Sequence, residues 1–253
     1  MAGRPPQIVA LGGGGFSMEA GNPRLDEYVL RLTGRPRPRV CFVPTASGDA
    51  DHYVVRFYRS FAAARCEPSH VSLFRRDRGG GAVEGDLAAH VLAQDLVYVG
   101  GGSVVSMLGA WRAHGLDEIL AEAWRRGTVL CGLSAGSLCW FAEAVTAFHG
   151  APHRVEGLGL LPFSNCVHYD GEPERRVEYR RFVGDGMRGG YAADDGVGLH
   201  FVGGALHRVV SSRAGKRGYH VTAHDDGTVT EDPLEAELLD AAGAVAAAAA
   251  AAA

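Results

Sequence analysis

The stretch Thr128-Val129-Leu130-Cys131-Gly132-Leu133-Ser134-Ala135-Gly136 decides how this chain is read. An apolar run enters a G-x-S-x-G sequence and leaves into a helical pattern over 138–144. A strand-to-helix turn this tight forces its central residue into strained backbone geometry, so small residues are needed on both sides. The serine oxygen is lifted out of the sheet, and the N–H of Ala135 faces a reacting carbonyl. The plainer reading is a buried strand-turn-helix with a capping serine. The strand and helix patterns that flank the motif favour the elbow.

Outward from this point, strand and helix patterns alternate. Apolar runs at 7–11, 39–44, 70–74, 96–99 and 128–131 read as strands. Helical spacing covers 24–33, 51–65, 87–92, 104–112 and 116–126, the last two separated near His114-Gly115. This order predicts an α/β fold with a mostly parallel sheet flanked by helices. Ligands of such sheets sit beyond the carboxyl ends of the strands. Ser134 and the run Gly100-Gly101-Gly102 both occupy predicted strand ends, while Gly12 to Gly15 and Gly79 to Gly81 mark further turns or close approaches. After Val167 the pattern changes. Segments 197–201 and 206–211 alternate in polarity around Gly203-Gly204, and 218–223 and 228–231 flank Asp225-Asp226-Gly227. C-terminal antiparallel hairpins, added to the edge or end of the sheet, are therefore predicted. A single domain is expected over 1–240, followed by an alanine-rich, low-complexity tail over 241–253 with helix propensity and no catalytic role.

The 253 residues are 47% hydrophobic and 21% charged, the balance of a soluble globular chain. A net charge of -4 gives no electrostatic reason to expect nucleic acid or acidic membranes as partners. The five cysteines (Cys41, Cys66, Cys131, Cys139, Cys166) are an odd number without C-x-x-C spacing. That argues against a disulfide framework or a zinc site, so no metal is expected. The first residues have no apolar segment of secretory length, and the alanine tail apart, no stretch is long and apolar enough to span a membrane. The expected location is cytoplasmic.

A serine hydroxyl is a weak nucleophile, and it needs a base and a group that orients the base. Among eleven histidines, His168 stands out at the end of a short apolar run, Asn165-Cys166-Val167, where a polar loop begins. His149 and His153 are second choices. For the acid, Ala193-Asp194-Asp195-Gly196 offers two carboxylates just before the first hairpin strand, although an Asp-Gly turn has a purely structural reading. Glu143 and Asp170 are alternatives. Gly100-Gly101-Gly102-Ser103 lacks the lysine of a P-loop and the spacing of a dinucleotide fingerprint. It reads better as a second oxyanion donor beside Ala135, a contribution typically worth ~3 kcal/mol of barrier. The order Ser134, His168, Asp195 differs from the α/β-hydrolases, in which the acid precedes the histidine.

Together, Val99-Gly100-Gly101-Gly102-Ser103, Gly115-Leu116-Asp117-Glu118-Ile119-Leu120, Cys131-Gly132-Leu133-Ser134-Ala135-Gly136-Ser137, the His168 segment and Ala193-Asp194-Asp195-Gly196 resemble peptidase family S51, the group of peptidase E (aspartyl dipeptidase) and cyanophycinase. The resemblance covers about 7–234. It implies a class I glutamine amidotransferase-like, flavodoxin-like fold, with serine where those enzymes carry cysteine, and cofactor-free hydrolysis through an acyl-enzyme. Carried onto this chain, Ser134 is the nucleophile and His168 the base. Asp195 orients the histidine where peptidase E carries glutamate. Gly101 and Ala135 supply the oxyanion hole, and Ser103, which stands where asparagine is usual, is an expected substrate-binding residue. Peptidase E removes an N-terminal aspartate from dipeptides, and Arg176 is the expected cation for that side chain.

Three readings follow: a serine peptidase of short peptides acting as a monomer or homodimer, another hydrolase such as a cyanophycinase-like enzyme, and a non-catalytic small-molecule-binding protein. Labelling of Ser134 by an electrophilic phosphonate separates the third from the others, and a dipeptide panel separates the first two.

Overall fold

A computed structural model describes residues 4–74 and 86–245. Gly79 to Gly81 and the tail from Ala246 onward lie outside the described residues. The strands are β1 (Gln7–Leu11), β2 (Arg39–Val43), β3 (Glu67–His70), β4 (Leu96–Val99), β5 (Val129–Leu133), β6 (Phe141–Thr146), β7 (His153–Glu156), β8 (Leu161–Val167), β9 (Gly190–Ala193), β10 (Val197–Val202), β11 (Ala205–Ser211), β12 (Arg217–Ala223), β13 (Val229–Glu235) and β14 (Glu237–Leu238). The helices are α1 (Gly15–Met18), α2 (Arg24–Leu32), α3 (Asp51–Ser60), α4 (Leu87–Leu92), α5 (Val104–His114), α6 (Leu116–Arg125), α7 (Ala135–Leu138) and α8 (Pro173–Gly184).

The chain is α/β, with mixed sheets flanked by helices. An eight-stranded sheet runs in the order β14-β11-β10-β1-β5-β4-β2-β3. Its strands β1, β5, β4, β2 and β3 are parallel, and β10 joins β1 antiparallel. β1 and β5 are buried at every position because both faces of the sheet are covered. Successive side chains point to opposite faces, so Ile8 and Ala10 join the core around Trp111 and Trp140, while Val9 and Leu11 join the core around Phe16, Phe42 and Phe57. In α2 the buried residues Leu25, Asp26, Tyr28 and Val29 form the inward face. Gly115, at φ 68°, ends α5 and lets α6 start in a new direction.

The C-terminal part departs from a simple edge addition. The β10–β11 hairpin, turning on Gly203 (φ 59°) and Gly204 (φ 88°), extends the large sheet as expected. The β12–β13 hairpin instead belongs to a second, six-stranded sheet, β13-β12-β9-β8-β6-β7. Three further expectations are corrected. The helix after Ser134 lasts only one turn, and 141–146 is strand β6, because a short apolar run fits a buried strand as well as a helix. The third strand is Glu67–His70 rather than 70–74; it is a polar edge strand, and Val71 and Leu73 pack in the core as loop residues. The helix starting at Asp51 stops at Ser60, where Phe61 leaves helical geometry.

At the C-terminal end of the described chain, Leu239 bridges Val245, and Val245 packs against the same core as α2. All five cysteines are free and buried. No helix among the described residues is long and apolar enough to cross a membrane. Also among them, no group of three or more His, Cys, Asp or Glu side chains is placed to hold a metal ion.

Asp26 is 3% exposed behind the loop that follows β1. Burial pushes its carboxyl up to about 7, against the pull of the Phe16 backbone and the Arg65 guanidinium. The folded chain thus keeps a proton that the unfolded chain releases above pH 3.8. The stability linked to this proton is complete below that pH and is lost as pH rises through 7. Asp26→Asn is expected to exceed wild type in stability at pH 8, by on the order of 4 kcal/mol at most, and to lose that advantage at pH 4. Urea unfolding at both pH values checks this; the same difference at each would contradict it.

Candidate active site

At the end of β5 the chain turns sharply. Ser134 has φ 52° and ψ -116°, a conformation rarely tolerated by a residue with a side chain. The turn is possible because its neighbours lack Cβ atoms. A Cβ on Gly132 would lie 2.1 Å from the Gly136 carbonyl oxygen, and one on Gly136 would lie 2.4 Å from that of Val99. The Ser134 carbonyl accepts the N–H groups of Ser137 (2.8 Å) and Leu138 (3.0 Å), which starts α7. The Ser134 N–H donates to Leu11 of β1 at 3.3 Å. Its side chain is half-buried.

His168 follows β8 of the second sheet and also has positive φ, 55°. Its N–H donates to the Gly12 carbonyl at 3.1 Å, across the gap between the sheets. Asp195 sits in the turn from β9 of the small sheet to β10 of the large one. The Ser134 hydroxyl lies 3.0 Å from His168 Nε2, and His168 Nδ1 lies 2.6 Å from Asp195 Oδ1. With the carboxylate ionised, Nδ1 carries the proton and donates it to Asp195, so Nε2 is free to accept from the serine. The side chains of His168 and Asp195 are 15% and 23% exposed, so substrate and water can reach the dyad.

The structure separates the four candidate acids. Asp195 faces the histidine. Asp194 is buried; its Oδ2 accepts the Arg217 N–H at 3.0 Å, and burial pushes its carboxyl up. Glu143 is on β6 and takes the Arg188 N–H at 2.9 Å. Asp170 is a supporting residue: its Oδ1 accepts the Asp195 N–H at 2.9 Å, and Lys216 pairs with its other oxygen. Partial burial pushes the Asp170 carboxyl up, but Lys216 and the surrounding N–H groups together hold it below the usual range.

The oxyanion candidates differ. Ala135 is the first residue of α7, where no earlier turn of the helix can accept its N–H. The Gly101 N–H already donates to the Tyr53 hydroxyl at 3.1 Å, and a Cβ on Gly101 would lie 3.3 Å from the Ser134 Cβ. Tyr53 was not visible as a site residue in the sequence, because one tyrosine on the buried face of a helix carries no local signal. The Ser103 hydroxyl caps α5 by accepting the Ser106 N–H (3.2 Å) and lies 2.8 Å from His149 Nε2. His149 therefore fastens the β6–β7 loop to the glycine run rather than serving as the base. His153 is exposed on β7.

Arg176 does not face the serine. It pairs with Glu231 and lies over the rings of Tyr169 (5.3 Å) and Tyr219 (4.9 Å). Its neighbour Arg175 on α8 has different partners: it is 7% exposed and pairs with Glu172. Arg175 lines a cleft of about 490 Å³ between the β6–β7 loop (Ala147, Gly150, Pro152) and the start of α8. Gly171, whose N–H donates to the His168 carbonyl at 3.2 Å, is part of the same wall, while Ser134, His168 and Asp195 do not line the cleft.

The comparisons with known proteins agree with this architecture. The family model for peptidase family S51 matches residues 8–209. The chain belongs to peptidase family S51. It is a peptidase. It is 45% identical over 234 residues to a Bacillus subtilis (strain 168) protein named Uncharacterized peptidase YgaJ, covering 92% of this chain and 99% of that one. It is 34% identical over 134 residues to Peptidase E of Streptomyces coelicolor, covering 52% of this chain and 51% of that one. The crystal structure of a peptidase from an acI-B1 Actinobacterium shares the fold, with a TM-score of 0.68 at 18% identity over 92% of this chain and 95% of that one.

For this S51 member, Arg176→Ala is expected to lower unfolding stability by about 1–2 kcal/mol through loss of the ring and carboxylate contacts. KM for a dipeptide should stay within about twofold of wild type. A large rise in KM with stability unchanged would return Arg176 to the substrate.

Proposed function

We propose that the chain is a serine peptidase of short peptides that works through an acyl-enzyme, with Ser134 as nucleophile, His168 as general base and then acid, and Asp195 as the group that orients and stabilises the imidazolium. The observation that carries this reading is the continuous line from the Ser134 hydroxyl through His168 Nε2 and Nδ1 to Asp195 Oδ1, at 3.0 and 2.6 Å.

Attack of the Ser134 oxygen on the peptide carbonyl transfers the hydroxyl proton to His168 Nε2. The new oxyanion falls beside the Ala135 N–H and the glycine run that follows β4. The C–N bond then breaks, His168 returns the proton to the departing amine, and an ester remains on Ser134. A water molecule, deprotonated by His168, hydrolyses the ester and restores the serine. The Tyr53 hydroxyl, which occupies the Gly101 N–H here, has to yield if Gly101 is to donate to the oxyanion.

The cleft between the β6–β7 loop and the start of α8 has the size of a site for a small ligand, which supports dipeptides over folded proteins. A preference for an N-terminal aspartate needs a cation, and Arg175 is the buried guanidinium on the cleft wall; because it is paired with Glu172, beside Glu174, the substrate carboxylate has to take the place of Glu172. The free cysteines fit a reducing cytoplasm.

Ser134→Ala and His168→Ala are each expected to lower kcat/KM on the best dipeptide by roughly a thousandfold or more with the fold intact by circular dichroism. Asp-X dipeptides should be cleaved best in a panel. Equal cleavage of Ala-X would remove the aspartyl preference, and wild-type turnover by Ser134→Ala would remove the triad.

A further inference from the structure

The loop after β1 lies directly on the triad, and the proposed mechanism gives it no role. Gly12 accepts the His168 N–H at 3.1 Å, and the Gly13 carbonyl accepts the Gly196 N–H, next to Asp195, at 3.1 Å. A Cβ built on Gly13 would lie 2.0 Å from Asp195 Oδ1, 2.9 Å from its Cγ and 3.0 Å from His168 Nδ1. The backbone at Gly13 has no positive φ, so conformation alone does not require glycine there. What requires it is the space that the Nδ1–Oδ1 hydrogen bond occupies.

We propose that Gly13 is a positioning residue for catalysis: its bare Cα is the surface against which the Asp195 carboxylate is held in line with His168. The inference rests on the triad reading above. The neighbouring glycine behaves differently. A Cβ on Gly12 would meet the backbone oxygens of Asp194 (2.4 Å) and Ala193 (2.5 Å), which cannot move without shifting the β9–β10 turn. At Gly13 the obstructing group is the end of a side chain that is 23% exposed and can swing toward solvent. Alanine at 13 is therefore compatible with the fold but displaces the carboxylate from Nδ1.

The test is a double-mutant cycle on the full chain with Gly13→Ala, Asp195→Ala and the double variant, read as kcat and KM on the best dipeptide together with the melting temperature. Gly13→Ala is expected to lower kcat by roughly a hundredfold with KM within about threefold and melting within a few degrees of wild type. The double variant should match Asp195→Ala alone, because the methyl group then has no carboxylate to displace. A kcat for Gly13→Ala within threefold of wild type overturns the inference. So does failure of that variant to fold, or multiplication of the two losses in the double variant, since each means that the methyl acts on something other than Asp195. Ser134→Ala in the same assay separates the two levels: if it stays active the triad has failed, and if it is inactive while Gly13→Ala is normal only the role of Gly13 has.

Discussion

One backbone constraint organises this molecule: Ser134 is held at φ 52°, on a turn that closes only because Gly132 and Gly136 have no side chains. Such a conformation costs on the order of 1–3 kcal/mol and persists only where its surroundings fix it. Here they do. β5 is buried on both faces, the Ser134 N–H is tied to β1, and its carbonyl starts α7. Ser137 on α7 then donates its hydroxyl to Asn165 of β8 at 3.1 Å, with both residues buried. The serine turn is thereby joined to the strand that carries the histidine.

The two sheets give the site its form. The large sheet presents the serine, the small sheet presents the histidine, and the turn that passes from one to the other presents the aspartate. No element holds two of the three. Their alignment depends on how the sheets meet, and Gly12 and Gly13 lie at that meeting, with hydrogen bonds to His168 and Gly196. Asp170 and Lys216 fix the backbone of the Asp195 turn from the far side.

Much of this was legible in the sequence. The parallel core strands are continuous apolar runs, and the glycines around Ser134 announce the turn. His168 could be singled out as a residue at a strand end, whereas the acid was narrowed only to a few carboxylates, with Asp195 favoured by the family resemblance. What stayed hidden depends on long-range packing. Phe141 to Thr146 looks helical locally and becomes a strand only because β7 and β8 are there to pair with it. Asp194, Asp195, Asp170 and Glu143 are chemically alike in the sequence, and only the geometry of the sheets turns one of them toward Nδ1. Arg175 and Arg176 are adjacent letters, yet the pitch of α8 sends one to the cleft and the other to Glu231 and two tyrosine rings. The reach of Tyr53 to Gly101 spans 48 positions and leaves no local trace.

The central claim is that one hydroxyl becomes a covalent nucleophile. Incubating the protein with a peptidyl phosphonate, digesting it and locating the added mass by tandem mass spectrometry tests this most directly. The account predicts a stoichiometric adduct on the peptide that contains Ser134, and a much slower one after His168→Ala. Absence of an adduct under conditions where dipeptides are hydrolysed, or its appearance on a different residue, would contradict it.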